Sequence, residues 1–132
     1  MKDISSIIRS IGYALKGLRH AYRVDKSFRM EVMYGIPLYL LLGLLFYPMA
    51  PWEFVLLILS YLLLLTVELV NTAFEKMLDR IHPEDHELIG KSKDIASGAV
   101  LITLIFAVVV VVTIGYVHFV AHPTFTLGGE FA

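Results

Sequence analysis

The chain has 132 residues, enough for one domain, and 58% of them are hydrophobic, against roughly 45–50% in soluble domains. Together with a mean hydropathy of +0.74, this surplus predicts an all-α membrane protein rather than a soluble enzyme. The net charge of −1 indicates no nucleic-acid partner, and the lack of cysteine excludes disulfides and thiolate metal sites.

The first predicted element is an amphipathic helix over residues 4–27. Its apolar side chains recur at i, i+3, i+4 and i+7 spacing, and its basic side chains cluster on the opposite half: Ile4, Ile7, Ile8, Ile11, Leu15, Leu18 and Tyr22 against Arg9, Lys16, His20 and Arg23. This pattern indicates a helix lying in the membrane interface. The alternative is a plain membrane anchor with no part in a binding site.

Three apolar stretches follow, and we expect transmembrane helices over 32–50, 54–81 and 92–120, with a short tail over 121–132. A spanning helix needs about 20 apolar residues, which the first and third stretches supply. The second stretch becomes polar in its last third, so that part should face other helices rather than lipid. Prolines in the 47–53 and 82–85 segments interrupt helical continuation between the spans.

The basic residues orient the chain. Seven of the eleven Lys and Arg lie in residues 1–31 and the other four in residues 76–93, so all fall on one side of a three-span topology. The positive-inside rule then predicts a cytoplasmic N-terminus and an extracytoplasmic C-terminus. We therefore expect a multi-pass membrane protein whose basic segments face the cytoplasm.

A polar stripe runs along the end of the second span. On a helical wheel, four polar residues fall within about 60° of Glu68: Asn71, Thr72, Glu75 and Asp79. A single such residue can be explained by an interhelical hydrogen bond, and Asp79 by pairing with Lys76 or Arg80. Two glutamates on one face near the membrane boundary are costly unless a cation bridges them or one is protonated. Oxygen ligands without paired histidines point to Mg²⁺ rather than Zn²⁺.

The third span opens with a second polar group, Lys93, Asp94 and Ser97. Lys93 could neutralise a phosphate and Asp94 could coordinate a cation or cap the helix. The alternative is a snorkelling lysine beside an acid that the helix dipole favours. His86 could be a ligand or a loop residue. The chain has neither a P-loop nor a G-x-G-x-x-G motif, so any nucleotide site is of another kind.

Two segments together resemble a known family. They are ELVNTAFEKMLDRI over residues 68–81 and HELIGKSKDIASGAV over residues 86–100. The first is similar to the E-x-x-N-[ST]-A-x-E-x-x-[VL]-D signature of the small bacterial membrane diacylglycerol kinases, a family that also includes undecaprenol kinases. The resemblance extends over about residues 5–120.

The resemblance implies a homotrimer of three-span subunits, each with a surface helix, whose shared sites transfer the γ-phosphate of ATP to a lipid hydroxyl. It assigns the role of catalytic base to Glu68 and the role of Mg²⁺ ligand to Glu75 and Asp25. At the position of Asp25 the family more often has glutamate. The implied nucleotide contacts are Tyr13, Asp25, Glu75, Glu84, His86, Lys93 and Asp94. The implied lipid-side contacts are Arg19, Phe28, Arg29, Glu31, Asn71 and Ser97.

The second segment is most similar to the diacylglycerol-specific branch of the family, so we expect diacylglycerol as the acceptor and phosphatidic acid as the product. Undecaprenol is the alternative acceptor. A different class also accounts for intramembrane glutamates, namely a non-enzymatic subunit that conducts protons or ions.

Overall fold

The computed structural model describes residues 2–121, which form four α-helices: α1 (Lys2–Val24), α2 (Lys26–Leu45), α3 (Pro51–Ile81) and α4 (Glu87–Tyr116). A π-helical turn, Val117–Ala121, extends α4. Three segments are long and apolar enough to cross a membrane: α2, α3, and α4 with its π-helical turn. The predicted all-α architecture with three candidate membrane-spanning helices is therefore confirmed, while residues 122–132 of the predicted tail lie outside the described part of the chain.

The boundary between α1 and α2 lies earlier than the sequence pattern suggested. α1 ends at Val24 rather than at residue 27, and α2 begins at Lys26 rather than at residue 32. The reason is Asp25, whose extended backbone (φ −102°, ψ 118°) separates the two helices. Its carboxylate accepts a hydrogen bond from the Phe28 amide at 3.0 Å, which makes Asp25 the N-cap of α2.

The other boundaries shift for similar local reasons. α2 ends at Leu45, five residues before the predicted end, and α3 begins at Pro51, three residues before the predicted start, because proline is favoured in the first turn of a helix. α4 begins at Glu87 rather than at residue 92. Here the His86 ring accepts a hydrogen bond from the Leu88 amide at 3.1 Å and serves as the N-cap.

The helices pack around α3, which makes its most extensive contact with α4 and also contacts α2 and α1. A compact apolar cluster of Phe46, Leu57, Val110 and Ile114 lies where α2 ends and α3 begins. Many large apolar side chains elsewhere on the spans remain exposed, as expected of helices whose outer faces meet lipid or other helices.

A polar contact beside this cluster joins the first turn of α3 to the π-helical turn that follows α4. The buried Glu53 carboxylate accepts a hydrogen bond from the Ala50 amide at 2.8 Å and lies 3.1 Å from Nε2 of His118. The His118 ring stacks on Phe46 with 5.7 Å between ring centroids. This contact ties the start of α3 to the π-helical turn.

Candidate active site

The polar stripe of α3 faces the interior of the protein except at Asp79, which is exposed. Glu68, Asn71 and Thr72 are buried, with only 4%, 8% and 7% of their surfaces exposed, and Glu75 is half-buried. Residues three and four apart share a helix face, so the sequence spacing itself places these side chains together. The Asn71 amide nitrogen lies 3.4 Å from Oε1 of Glu75, a long hydrogen bond along this face.

Asp25 joins the stripe from the α1–α2 junction. One of its carboxylate oxygens caps α2, and the other accepts a hydrogen bond from the Thr72 hydroxyl. The same hydroxyl lies 2.9 Å from the backbone carbonyl of Glu68. The carboxylate of Asp25 is therefore held against the face of α3 that carries Glu68 and Glu75.

The resulting cluster concentrates negative charge. Asp25, Glu31 and Glu75 all lie near enough to Glu68 for their charges to interact unfavourably, and Glu31 is also repelled by Asp25. Among residues 2–121, none of the four carboxylates forms an ion pair with a lysine or arginine. Oε2 of Glu31 and Oδ1 of Asn71 are buried and have no hydrogen-bond partner within the described residues. These features call for a positively charged or hydrogen-bond-donating ligand.

The cluster fits a cation that is brought in by a substrate. No three His, Asp or Glu side chains of residues 2–121 lie close enough to form a ready-made metal site. Mg²⁺ in phosphoryl-transfer sites is typically held by only one or two carboxylates together with phosphate oxygens. The carboxylates of Asp25 and Glu75, each held by a hydrogen bond to the polar face of α3, offer such a partial set of oxygen ligands.

A cleft of about 450 Å³ opens between the end of α3 and the start of α4. It brings together three of the predicted nucleotide contacts, Glu84, His86 and Lys93, and its wall also includes His82. Lys93 forms an ion pair with Asp79 across the two helices. Asp79 thus makes an interhelical contact, and its partner is Lys93 of α4 rather than Lys76 or Arg80 of its own helix.

The chain matches the family model for prokaryotic diacylglycerol kinases over residues 12–115. The chain belongs to the prokaryotic diacylglycerol kinase family. It is 40% identical over 119 aligned residues to the diacylglycerol kinase of Escherichia coli strain K12, with 86% of this chain and 91% of that protein covered. It is 38% identical to the Haemophilus influenzae diacylglycerol kinase over 104 residues (76% and 84% covered) and 35% identical to the Pseudomonas aeruginosa diacylglycerol kinase over 101 residues (76% and 80%).

The remaining site residues implied by the resemblance to this family are spread over α1, α2 and α4, and most of them are exposed. Tyr13 and Arg19 are exposed on α1, and Asp94 and Ser97 are exposed on α4. Phe28 is buried at the start of α2, with 4% of its surface exposed. The Arg29 guanidinium donates hydrogen bonds to the carbonyls of Tyr22 and Arg23 at 3.2 and 3.1 Å, so in this chain it caps the end of α1.

Two residues beside the cluster are given no function by their sequence pattern. The spacing of Thr72 places it in the stripe, but its partner Asp25 lies 47 residues away, and the residues around Thr72 do not indicate this contact. Tyr61 lies in an apolar run of α3, and its hydroxyl donates a hydrogen bond to the Glu31 carbonyl at 2.8 Å. In the sequence, only the presence of a tyrosine in this apolar run indicates a polar contact there, because a buried tyrosine hydroxyl usually has a hydrogen-bond partner.

Proposed function

We propose that the protein is an ATP-dependent lipid kinase that transfers the γ-phosphate to the primary hydroxyl of diacylglycerol and produces phosphatidic acid. The observation that carries this proposal is the buried carboxylate cluster on a candidate membrane-spanning helix of a chain in the prokaryotic diacylglycerol kinase family. Ionisable side chains within a membrane-spanning helix cost free energy, and they therefore usually mark a functional site.

Glu68 is the proposed general base. It is the most deeply buried carboxylate of the cluster, and it would accept the proton of the lipid hydroxyl as the oxygen attacks the γ-phosphorus. Asp25 and Glu75 would hold Mg²⁺, which when bound neutralises phosphate charge. Lys93, at the cleft with Glu84 and His86, supplies a further positive charge for the nucleotide phosphates.

The lipid side of the proposed site is an apolar cavity of about 500 Å³ between α2, α3 and α4. Glu31 contributes the charged group of its lining, while Leu38, Leu104 and Val108 are among its apolar residues. A cavity whose wall is almost wholly apolar suits the hydrocarbon chain of a lipid, and Glu31 is the charged residue nearest to hand for its polar end.

We further propose that the kinase is a homotrimer in the bacterial inner membrane with its sites at the cytoplasmic face. The bias of basic residues supports the orientation. The exposure of Tyr13, Arg19, Asp94 and Ser97 in a single chain supports sites completed by a neighbouring subunit. α1, whose Ile4, Ile7, Ile8 and Ile11 are all exposed, would lie with that apolar side in the membrane interface.

The test is phosphorylation by the purified protein in mixed micelles that contain either diacylglycerol or undecaprenol at equal surface concentration, with ATP and Mg²⁺. We expect faster phosphorylation of diacylglycerol. Faster phosphorylation of undecaprenol would identify the alternative kinase. If neither lipid is phosphorylated and liposomes leak protons in a way that Glu68→Gln abolishes, the protein is an ion-conducting subunit instead.

A further inference from the structure

A pair of stacked tyrosines, one from α2 and one from α3, lies next to the carboxylate cluster on the side of the apolar cavity. The Tyr39 and Tyr61 rings are 4.5 Å apart between centroids and nearly parallel. The Tyr39 hydroxyl lies 3.2 Å from Oγ of Ser60, which is fully buried and donates a hydrogen bond to the Leu57 carbonyl at 2.7 Å. Ser60 thus contacts the hydroxyl of Tyr39, whereas Tyr39 meets Tyr61 through its ring.

Gly35 makes room for the Tyr61 ring. A Cβ atom at this position would stand 2.6 Å from Cε2 of Tyr61 and 2.7 Å from its hydroxyl oxygen, closer than real Cβ atoms approach other atoms. Any larger residue would therefore displace the ring. The absence of a side chain at residue 35, one turn after Glu31, is what allows the phenol to lie against α2.

The Tyr61 hydroxyl reaches the backbone of Glu31, where it donates a hydrogen bond to the carbonyl at 2.8 Å. The same residue is among those that line the cavity, and its side chain has a buried oxygen without a partner among residues 2–121. Its charge interacts with that of Glu68. This hydrogen bond therefore holds the residue of α2 that carries the carboxylate against α3, the helix of the proposed base.

We propose that Tyr61 is a positioning residue for the lipid alcohol. Its hydroxyl tethers the Glu31 backbone and so holds the Glu31 carboxylate at the cavity, where that carboxylate accepts a hydrogen bond from the polar end of the lipid. The inference rests on the proposed lipid kinase function, and it assigns to Tyr61 an effect on the lipid but not on the nucleotide. A displacement of about 1 Å in a group that positions the substrate can greatly lower the rate of a reaction between two bound substrates.

The test compares Tyr61→Phe, which removes only the hydroxyl, with Ser60→Ala, which removes a hydroxyl of the same network that does not reach Glu31. Loss of one hydrogen bond corresponds to about a fivefold change in an equilibrium or rate constant. We expect Tyr61→Phe to lower kcat/KM for diacylglycerol about fivefold without changing KM for MgATP. Ser60→Ala should lower thermal stability and leave both kinetic constants unchanged.

Gly35→Ala provides a second test, because it displaces the phenol without removing it. It should reproduce the selective loss of kcat/KM for the lipid. Unchanged lipid kinetics in Tyr61→Phe, an equal loss in Ser60→Ala, or a parallel loss of MgATP affinity would each overturn the inference. Since the wild-type enzyme is assayed beside the variants, failure of the inference is distinguishable from failure of the proposed function, which would appear as no phosphorylation by the wild type.

Discussion

Replacement of Thr72 by valine tests the link between Asp25 and α3. The substitution keeps the branched shape but removes the hydroxyl that donates to the Asp25 carboxylate. Asp25 retains its cap on the Phe28 amide, so α2 should still begin at Lys26. What the variant loses is the contact that holds the Asp25 carboxylate on the face of Glu68 and Glu75.

The expected magnitude follows from that contact. Hydrogen bonds to charged groups contribute about 1.5–3 kcal/mol, and because Asp25 is only half-buried we expect a loss of about 1.5 kcal/mol in the free energy of unfolding. Residues that orient metal ligands typically change metal affinity about 10–100-fold when they are lost. We therefore expect Thr72→Val to raise the Mg²⁺ concentration for half-maximal activity about tenfold.

The assays are Mg²⁺ titration of lipid phosphorylation, Mn²⁺ binding in the presence of a non-hydrolysable ATP analogue, and thermal unfolding in detergent. Thr72→Ser is the matched control, because it keeps the hydroxyl and should retain metal affinity close to that of the wild type. Wild-type metal dependence and metal binding in Thr72→Val would refute the reasoning. An equal loss in Thr72→Ser would show that side-chain shape, and not the hydrogen bond, is responsible.

Three further predictions concern the base, the assembly and the far end of the bundle. Glu68→Gln should lower kcat about 10²–10⁴-fold while Mg-nucleotide binding survives. Glu75→Gln should weaken that binding as well, so equal losses of nucleotide affinity in the two variants would contradict the assigned roles. Mixed oligomers of Glu68→Gln and Asp94→Asn subunits, each inactive alone, should recover activity, and full activity of a demonstrable monomer would exclude shared sites. His118→Ala should lower the free energy of unfolding by about 1–3 kcal/mol with unchanged KM values, because the buried Glu53 carboxylate keeps the Ala50 amide but loses its imidazole partner. A normal melting temperature would argue against this.

Much of the fold follows from local patterns in the chain. Stretches of apolar residues near 20 in length, interrupted by prolines, predicted the three candidate spans, and helical spacing predicted that Glu68, Asn71 and Glu75 share a face. The helix starts were predicted less well. Asp25 is a residue type that favours N-caps and could have been recognised from sequence, whereas the ring of His86 is an uncommon cap.

The contacts that complete the site could not be predicted in this way. Thr72 meets Asp25 across 47 residues, Tyr61 meets Glu31 across 30, and Lys93 meets Asp79 across 14. Each depends on how two helices are rotated against each other, and helical periodicity within one segment carries no information about its partner. The resemblance to a family indicated which residues matter but not which neighbours hold them in place.

The buried contact between Glu53 and His118 separates two tasks along α3. Glu53 and Glu75 are 22 residues apart, so at about 1.5 Å per residue they lie roughly 33 Å from each other along the helix. One end of the helix carries carboxylates that repel one another, while the other is anchored by a satisfied hydrogen-bond network and an aromatic stack. The contacts that anchor α3 therefore lie at the opposite end of the helix from the clustered carboxylates, so a substitution within that cluster leaves the anchor in place.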